Sequence, residues 1–224
     1  MALPTITVTA GTGTTVNTLA NGGQAAAASS HPMVMCTEQG APGAATTTIS
    51  VSADGSKSTY SYGGVDLVPV ATPTDLLVIS GSATTTVRVK LVELIGVATA
   101  AGNMTALLVK RSSAGTLGSA VLTAVTAAKH DSGQAAATCA VSTVGTANYT
   151  TVGTTAGNVR AGLLQMGVVD TGLAATLKWD FSSRQDKAVI LRGVAEMLCV
   201  NLNGDALPTG GKVHWHIELE EDNS

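Results

Sequence analysis

Two histidines near the end of the chain, His214 and His216, stand one residue apart, and Glu218 follows at the same spacing. Because side chains alternate between the two faces of a β-strand, we expect these three residues on one face. Imidazole and carboxylate groups are ligands that zinc and other transition metals accept. The spacing therefore makes these residues the first candidates for a metal site.

Such a metal site needs further ligands, and the rest of the sequence supplies no matching motif. Metal-binding jelly rolls of the cupin class combine a His-x-His pair with a glutamate several residues later and a third histidine from another strand. The other histidines of this chain are His31 and His130, and neither lies in a motif of that kind. We expect His214 and His216 to form the outward face of a strand, with a cupin-like metalloprotein that uses them as the remote alternative.

Three adjacent residues, His130, Asp131 and Ser132, are of the types found in hydrolase triads. Triads assemble residues that are distant in sequence, and the chain contains no Gly-x-Ser-x-Gly elbow. The glycine-rich residues 11–15 lack the lysine that follows in phosphate-binding loops. We expect a turn at His130, and the sequence predicts no catalytic residue, no cofactor-binding residue and no metal ligand.

The three cysteines, Cys36, Cys139 and Cys199, are widely spaced and match no zinc-binding pattern. Their odd number argues against a closed framework of disulfides. Cys199 lies within the apolar run Met-Leu-Cys-Val, and we expect it to behave as a small buried hydrophobic residue.

The elements that would position these residues are strands. In residues 212–220 the side chains of Val213, Trp215, Ile217 and Leu219 fall on one face, and polar residues fall on the other. This alternation predicts a half-buried strand whose apolar face points inward. Further strands are expected at residues 87–95, 105–109, 159–169, 176–181, 188–191 and 197–202. Turns at Gly, Pro, Asn and Asp between these runs indicate an antiparallel all-β domain, with Asn203-Gly204 read as a hairpin turn.

The composition limits the classes of function. The chain is 45% hydrophobic but only 3% aromatic and 12% charged, and its net charge is −3. The only adjacent basic pair, Lys110-Arg111, is expected to decorate a strand end, so no nucleic-acid partner is predicted. No apolar run approaches the roughly 20 residues of a membrane helix, and no signal peptide is recognisable.

The first 56 residues contain no Lys or Arg, and Glu38 and Asp54 are their only acids. We expect residues 1–63 to form an extended arm or small β subdomain that pairs with another surface by strand addition. Short strands are possible at residues 5–9, 33–37 and 47–52, and plain disorder is the alternative. Residues 112–157 are expected to form a long loop that contains short strands.

A resemblance rests on a series of short segments within residues 65–224. They are Val70-Ala71-Thr72-Pro73-Thr74-Asp75, Ser80-Gly81-Ser82-Ala83-Thr84, Val87-Arg88-Val89, Leu108-Val109-Lys110-Arg111-Ser112, Trp179-Asp180-Phe181, Ile190-Leu191-Arg192-Gly193, Asn201-Leu202-Asn203-Gly204 and Leu207-Pro208-Thr209-Gly210. Together they resemble a widespread group of tailed-bacteriophage virion proteins of jelly-roll type, the capsid decoration or cement family. The segments are structural signatures and carry no catalytic residue.

The resemblance implies an antiparallel jelly-roll β-sandwich at residues 64–224 behind the N-terminal arm. It implies a non-enzymatic structural protein that binds the capsid exterior as a homotrimer. The expected partners are the major capsid protein and neighbouring copies of the chain, with no nucleic acid, membrane or cofactor. The protein would be made in the bacterial host cytoplasm. The alternative is a tail, collar or head-fibre adaptor of the virion. A glycan-binding role is disfavoured, because the chain has few aromatic residues and alternation points Trp179 and Trp215 inward.

Overall fold

Twelve β-strands make up the part of the chain that the computed structural model describes, which comprises residues 57–70, 74–145, 147–168, 176–182 and 187–222. These residues contain no helix, and so no apolar helix long enough to cross a membrane. In chain order the strands are β1 (Ser58–Leu67), β2 (Asp75–Ser80), β3 (Thr86–Ala98), β4 (Gly102–Arg111), β5 (Leu122–Val125), β6 (Ala128–Lys129), β7 (Ala140–Val144), β8 (Thr155–Val168), β9 (Thr176–Asp180), β10 (Val189–Arg192), β11 (Met197–Asn201) and β12 (Lys212–Asp222).

The last strand, β12, has the alternation that its sequence predicts. Its side chains are buried and half-buried in strict turn along all eleven residues. Val213, Trp215, Ile217 and Leu219 point inward and are at most 5% exposed, as expected. β12 lies between β3 and β1 and is antiparallel to both. The predicted inward face is therefore confirmed, and it forms one wall of the core.

β3 organises the neighbouring strands, and it shows that the sheet is mixed. One edge of β3 pairs with β12, whereas the other edge pairs in succession with β10, β9 and β8. The pairing with β8 is parallel, so the predicted antiparallel arrangement holds for the other pairs of described strands but not for this one. β8 first runs antiparallel to β4 and then reaches β3 at Gly96. A Cβ at Gly96 would collide with the sulfur of Met166, so a larger residue here would have to displace that buried side chain.

The sheet curls until its two ends meet. β5 and β6 lie at opposite ends of the strand order β5-β7-β2-β11-β4-β8-β3-β12-β1-β6. Only Thr126 and Ala127 separate these two strands in the sequence. Three steps between Cα atoms span at most about 11 Å, so the chain itself crosses from one end of the sheet to the other. We call this crossing between β5 and β6 the seam.

One hydrophobic core lies inside the curled sheet. Both halves of the strand order contribute to it: β2, β11 and β4 from one side, and β3, β12 and β1 from the other. Its largest fully buried side chains include Tyr60, Leu77, Ile79, Leu94, Met104, Leu108, Leu164, Met166, Leu191, Leu198, Ile217 and Leu219. Branched aliphatic residues suit the pleated surface of strands, so a chain with few aromatic residues can still fill this interior.

A second, smaller cluster packs on the opposite face of β2 and β11. It contains Val78, Ala120, Val144 and Cys199. It is covered by parts of the long connection that the sequence analysis described as a loop with short strands. That expectation is confirmed, because residues 112–157 contain β5, β6, β7 and an isolated bridge between Thr116 and Thr151. We call the residues 112–121 and 147–155 of this connection the outer layer.

The described residues belong to one compact unit, Asp54–Ser224. β1 contains both Gly63 and Gly64, between which the sequence analysis placed the start of the jelly-roll domain. The predictions for the N-terminal arm lie outside the described residues. They concern the candidate strands at 5–9, 33–37 and 47–52, the glycine-rich residues 11–15, and also His31 and Cys36.

The Asn203-Gly204 turn forms as its sequence predicts but serves another connection. Both residues have positive φ, 56° and 75°, and the amide of Asp205 donates to the carbonyl of Leu202. These angles fit the type of turn that Asn-Gly favours. The turn does not close a hairpin, however, because β11 pairs with β2 and β4 whereas β12 pairs with β3 and β1. The prediction of a hairpin at this position was therefore wrong.

The assignment of the two faces of β12 can be tested by adjacent substitutions. We expect Ile217→Ala to lower the free energy of unfolding by about 2–5 kcal/mol, because it removes fully buried methylene groups and leaves a cavity. The control His216→Ala, on the half-buried outer face, should change it by less than about 0.5 kcal/mol. Urea denaturation measures both values. Equal losses would contradict this assignment.

Candidate functional site

The largest departure from the sequence analysis is a buried ion pair between Asp75 and Arg111. Asp75 is the first residue of β2 and is 2% exposed; Arg111 is the last residue of β4 and is 3% exposed. The guanidinium donates from Nε to Oδ2 and from Nη2 to Oδ1, both at 2.6 Å. This two-point geometry is the strongest form of such a pair. Arg111 was expected to decorate a strand end, and that prediction was wrong.

The remaining polar atoms of the pair are also satisfied. The Asn201 side-chain amide donates to Asp75 Oδ1 at 3.0 Å. Arg111 Nη1 donates to the carbonyl of Gly153 at 3.1 Å and to the hydroxyl of Thr155 at 2.7 Å. A buried ion pair must recover the hydration that both charges lose, and these additional hydrogen bonds serve that purpose. They also bind residues 153–155 of the outer layer to the sheet beneath it.

Two weakly acidic side chains border this network, and burial raises the pKa of both. Burial raises the pKa of the Cys199 thiol well above its usual range, and the nearby Asp75 carboxylate raises it further. Burial likewise raises the pKa of Tyr149 to about 12, with Asp75 adding to the shift. A thiol held in its neutral form is a poor nucleophile. The predicted role of Cys199 as a buried hydrophobic residue is confirmed.

A second buried carboxylate, Glu221, holds a different part of the long connection. It is 6% exposed and lies at the end of β12. Its two oxygens accept hydrogen bonds from the amides of Thr138 and Cys139, at 2.7–3.0 Å, and one accepts from the Thr138 hydroxyl at 2.8 Å. The Thr138 hydroxyl in turn contacts Ser82 Oγ at 2.7 Å. Glu221 therefore joins β12 to the segment before β7 and to the turn between β2 and β3.

Cys139 packs beside this carboxylate as a buried thiol. Its sulfur lies 3.3 Å from the hydroxyl of Tyr62, and the residue is 7% exposed. Burial raises the pKa of the Cys139 thiol to about 12, and burial also raises the pKa of the Tyr62 hydroxyl. Both groups act as packed, hydrogen-bonded members of the core.

His214, His216 and Glu218 lie together on the outer face of β12, as their spacing predicts. The backbone amide of Asp66 donates to Nδ1 of His214 at 3.2 Å, and His216 stands opposite Glu93 on β3. Within the described residues, no three His, Cys, Asp or Glu side chains are grouped so that they could hold a metal ion.

The His130-Asp131-Ser132 segment forms the expected turn. The Asp131 carboxylate accepts from the amide of Gly133 at 2.8 Å, which caps the turn. The partner of His130 is Ser61 on β1, whose hydroxyl lies 2.6 Å from Nε2 of the histidine. The contact is exposed and joins β1 to the residue after β6, and the sequence offers no signal for it. Asp131, held by its own turn, does not complete a triad with these two residues.

The aromatic residues are mostly buried. Trp179 and Trp215 are each 5% exposed and Phe181 is 4% exposed, so the prediction that both tryptophans point inward is confirmed. Tyr60 and Tyr62 are also buried, and Tyr149, which belongs to the outer layer, is half-buried against the smaller cluster. Arg160 stacks over Phe181 at 5.4 Å. The described surface therefore presents no aromatic platform of the kind on which sugars stack.

The buried ion pair can be tested by comparing a single with a double substitution. We expect Arg111→Met to lower the free energy of unfolding by about 3–5 kcal/mol, because it leaves the Asp75 carboxylate buried without its partner. The double variant Asp75→Leu/Arg111→Met should lose less than the single variant, since no unpaired charge remains. Urea denaturation compares the two variants. A double variant less stable than Arg111→Met would contradict this account of the pair.

The state of the two described cysteines can be tested by alkylation. We expect Cys139 and Cys199 to resist iodoacetamide in the folded protein at about pH 8, because both thiols are buried and protonated. In denaturant both should react at the rate of a free cysteine. Mass spectrometry of the digested protein follows each site separately. Equal rates in the folded and unfolded protein would contradict the assignment.

Comparisons with protein-family models, with curated proteins and with solved structures found no match for this chain. The resemblance to phage virion proteins therefore rests on the short segments of sequence quoted above. Three of those segments contribute one residue each to the same buried network, namely Asp75, Arg111 and Asn201. Residues that stood out separately along the sequence are thus brought into direct contact by the fold.

Proposed function

We propose that the protein is a non-enzymatic structural protein of a tailed-bacteriophage virion, which decorates or cements the capsid exterior as a homotrimer. The observation that carries this proposal is the near absence of charge from the long connection. Residues 112–159 contain only Lys129 and Asp131 as charged residues, and most of their side chains are half-buried or exposed. An exposed surface of threonine, serine, alanine and glycine suits binding more than catalysis.

A charge-poor surface has an energetic advantage in an extensive protein contact. Burying a charge costs several kcal/mol unless it finds a partner, whereas hydroxyls and backbone groups exchange water for protein hydrogen bonds at small net cost. Val121 and Val152, which are 64% and 37% exposed, add apolar area to this surface. The two buried carboxylates hold the connection in place, so less conformational entropy is lost when a partner binds.

The finer fold that we propose is a jelly-roll β-sandwich. In support, the inner faces of β2, β11 and β4 and those of β3, β12 and β1 pack on one core. Closure of the sheet through β5 and β6 would protect its edges. Jelly rolls solve the problem of exposed sheet edges by packing two sheets face to face. A trimer of such domains would bind its partner at three points and gain avidity from the high effective concentration.

The proposal is tested by the copy number on purified particles and by matched charge substitutions. A decoration protein should be present in hundreds of copies per particle in quantified stained gels. We expect Val121→Glu to lower its occupancy about tenfold, equivalent to about 1.4 kcal/mol, because the new charge would be buried at the contact. The control Val194→Glu introduces the same charge at a valine that is 61% exposed in the turn after β10, and it should bind normally.

Two outcomes would count against this role. A few dozen copies or fewer per particle would favour the tail, collar or head-fibre adaptor instead. Equal occupancy of Val121→Glu and Val194→Glu at hundreds of copies would show that the charge-poor connection is not the capsid-binding surface. Circular dichroism of both variants would establish that neither substitution disturbs the fold.

A further inference from the structure

An apolar cleft of about 430 Å³ lies beside the seam of the sheet. It is formed where the second half of β1 faces β5 and β7, and its apolar lining includes Leu67, Val68, Val125, Val144 and Trp215. Asp66 is the one charged residue among the described residues that line it, and its carboxylate lies 3.4 Å from the ammonium of Lys212 on β12. The cleft therefore offers an apolar site whose single charge is already neutralised.

The same cleft borders an open strand edge. β6 covers β1 only at Tyr60 and Ser61. Among the described residues, no strand pairs with that edge of β1 from Tyr62 to Leu67, although β12 occupies the other edge. Sheet edges are normally protected by charge, proline, a bulge or a covering segment. On this edge Val65 is 75% exposed, and Val68, just after β1, is 48% exposed. Its one charged residue, Asp66, has a positive φ of 55° and lies in a bulge between Gly64 and Leu67. An open edge beside an apolar cleft is a site for an added strand.

We propose that this cleft and the open edge of β1 receive residues 5–9 of a second copy of the chain, added as an extra strand. This inference rests on the proposed homotrimer and names the contact that would link its copies. Residues 5–9 read Thr-Ile-Thr-Val-Thr, so Ile6 and Val8 share one face and three threonines share the other. Ile6 and Val8 would fill the cleft, and the backbone would pair with β1.

The chain lengths favour this segment over the other apolar stretch close to β1. Residues 47–52 also alternate, but only about five residues connect them to Lys57, which span at most about 18 Å. A segment so close to β1 would have to fold back as a hairpin, and β6 already occupies the adjoining edge at Tyr60 and Ser61. Residues 5–9 are separated from Lys57 by about 48 residues, which is enough extended chain to reach a neighbouring copy.

The contact would also fit the symmetry of the assembly. A segment of one copy that binds a cleft on the next makes a head-to-tail contact, and such contacts close into a ring when the rotation between copies allows it. In a trimer each copy would donate one strand and accept one. The contact needs no charged partner, in keeping with a segment of 56 residues that contains no Lys or Arg and only two acids.

The experiment uses full-length chains that carry Cys36→Ser, since Cys139 and Cys199 are buried. One chain carries Val8→Cys and the other, of different mass, carries Leu67→Cys, at a side chain that faces the cleft. The two chains are mixed, denatured, refolded together and oxidised. We expect a disulfide between the two chains, identified by mass spectrometry. Val194→Cys replaces Leu67→Cys in the control and should give less than about a tenth of that yield.

A second pair of variants tests the predicted face. Adding Ile6→Glu to the Val8→Cys chain should lower the yield at least about tenfold, because a carboxylate would enter the apolar cleft, whereas Thr7→Glu on the opposite face should not. Absence of the disulfide between chains, equal effects of the two glutamates, or a disulfide only within a chain that carries both cysteines would overturn the inference. Light scattering of the unmodified protein measures its oligomeric state and so separates the proposed strand contact from the proposed homotrimer. A trimer without the disulfide refutes the strand contact alone, whereas a monomer refutes the homotrimer as well.

Discussion

The ion pair between Asp75 and Arg111 is the contact on which the outer layer depends. Two charges at the ends of β2 and β4 are removed from water, and each needs its partner because an unpaired buried charge costs several kcal/mol. The carbonyl of Gly153 and the hydroxyl of Thr155 complete the set of acceptors around Arg111. The outer layer therefore has to lie over the sheet for the ion pair to be satisfied, although that layer contributes few large apolar side chains of its own.

Glu221 applies the same principle in the middle of the connection, between β6 and β7. Its carboxylate accepts hydrogen bonds from the backbone amides of Thr138 and Cys139, so it binds the connection without needing a charged side chain there. Main-chain amides are present whatever the side chain, which lets the neighbouring sequence remain rich in alanine, serine and threonine. Two buried acids thus order a connection that has almost no charge. The resulting surface is ordered, and removing water from it costs little free energy. Both properties favour binding of a partner.

The sequence predicts the strands well where one face is buried, because alternation is a local signal. β12 and β9 were located within two residues of their ends, and four of the five inward residues of β12 were identified, the exception being Glu221. Pairing between distant strands has no such signal, so the parallel contact of β3 with β8 and the closure through β5 and β6 were not predicted. Arg111 shows the same limit for side chains: at a strand end it looks solvated, and nothing nearby reveals Asp75, which is 36 residues away.

Closure of the sheet leaves one stretch of edge unprotected, and this follows from the shortness of β6. Two residues of β6 pair antiparallel with β1, and the residues just before β6, Thr126 and Ala127, cross to β5, so β1 continues beyond its neighbour. A longer β6 would have covered the edge from Tyr62 to Leu67 and filled the cleft. The chain instead keeps Gly63, Gly64 and Val65 there, and the one charge on this stretch, Asp66, is paired with Lys212. An edge kept open, with a single charge that Lys212 already pairs, is a liability for a monomer, whereas in an assembly of copies it is a binding site.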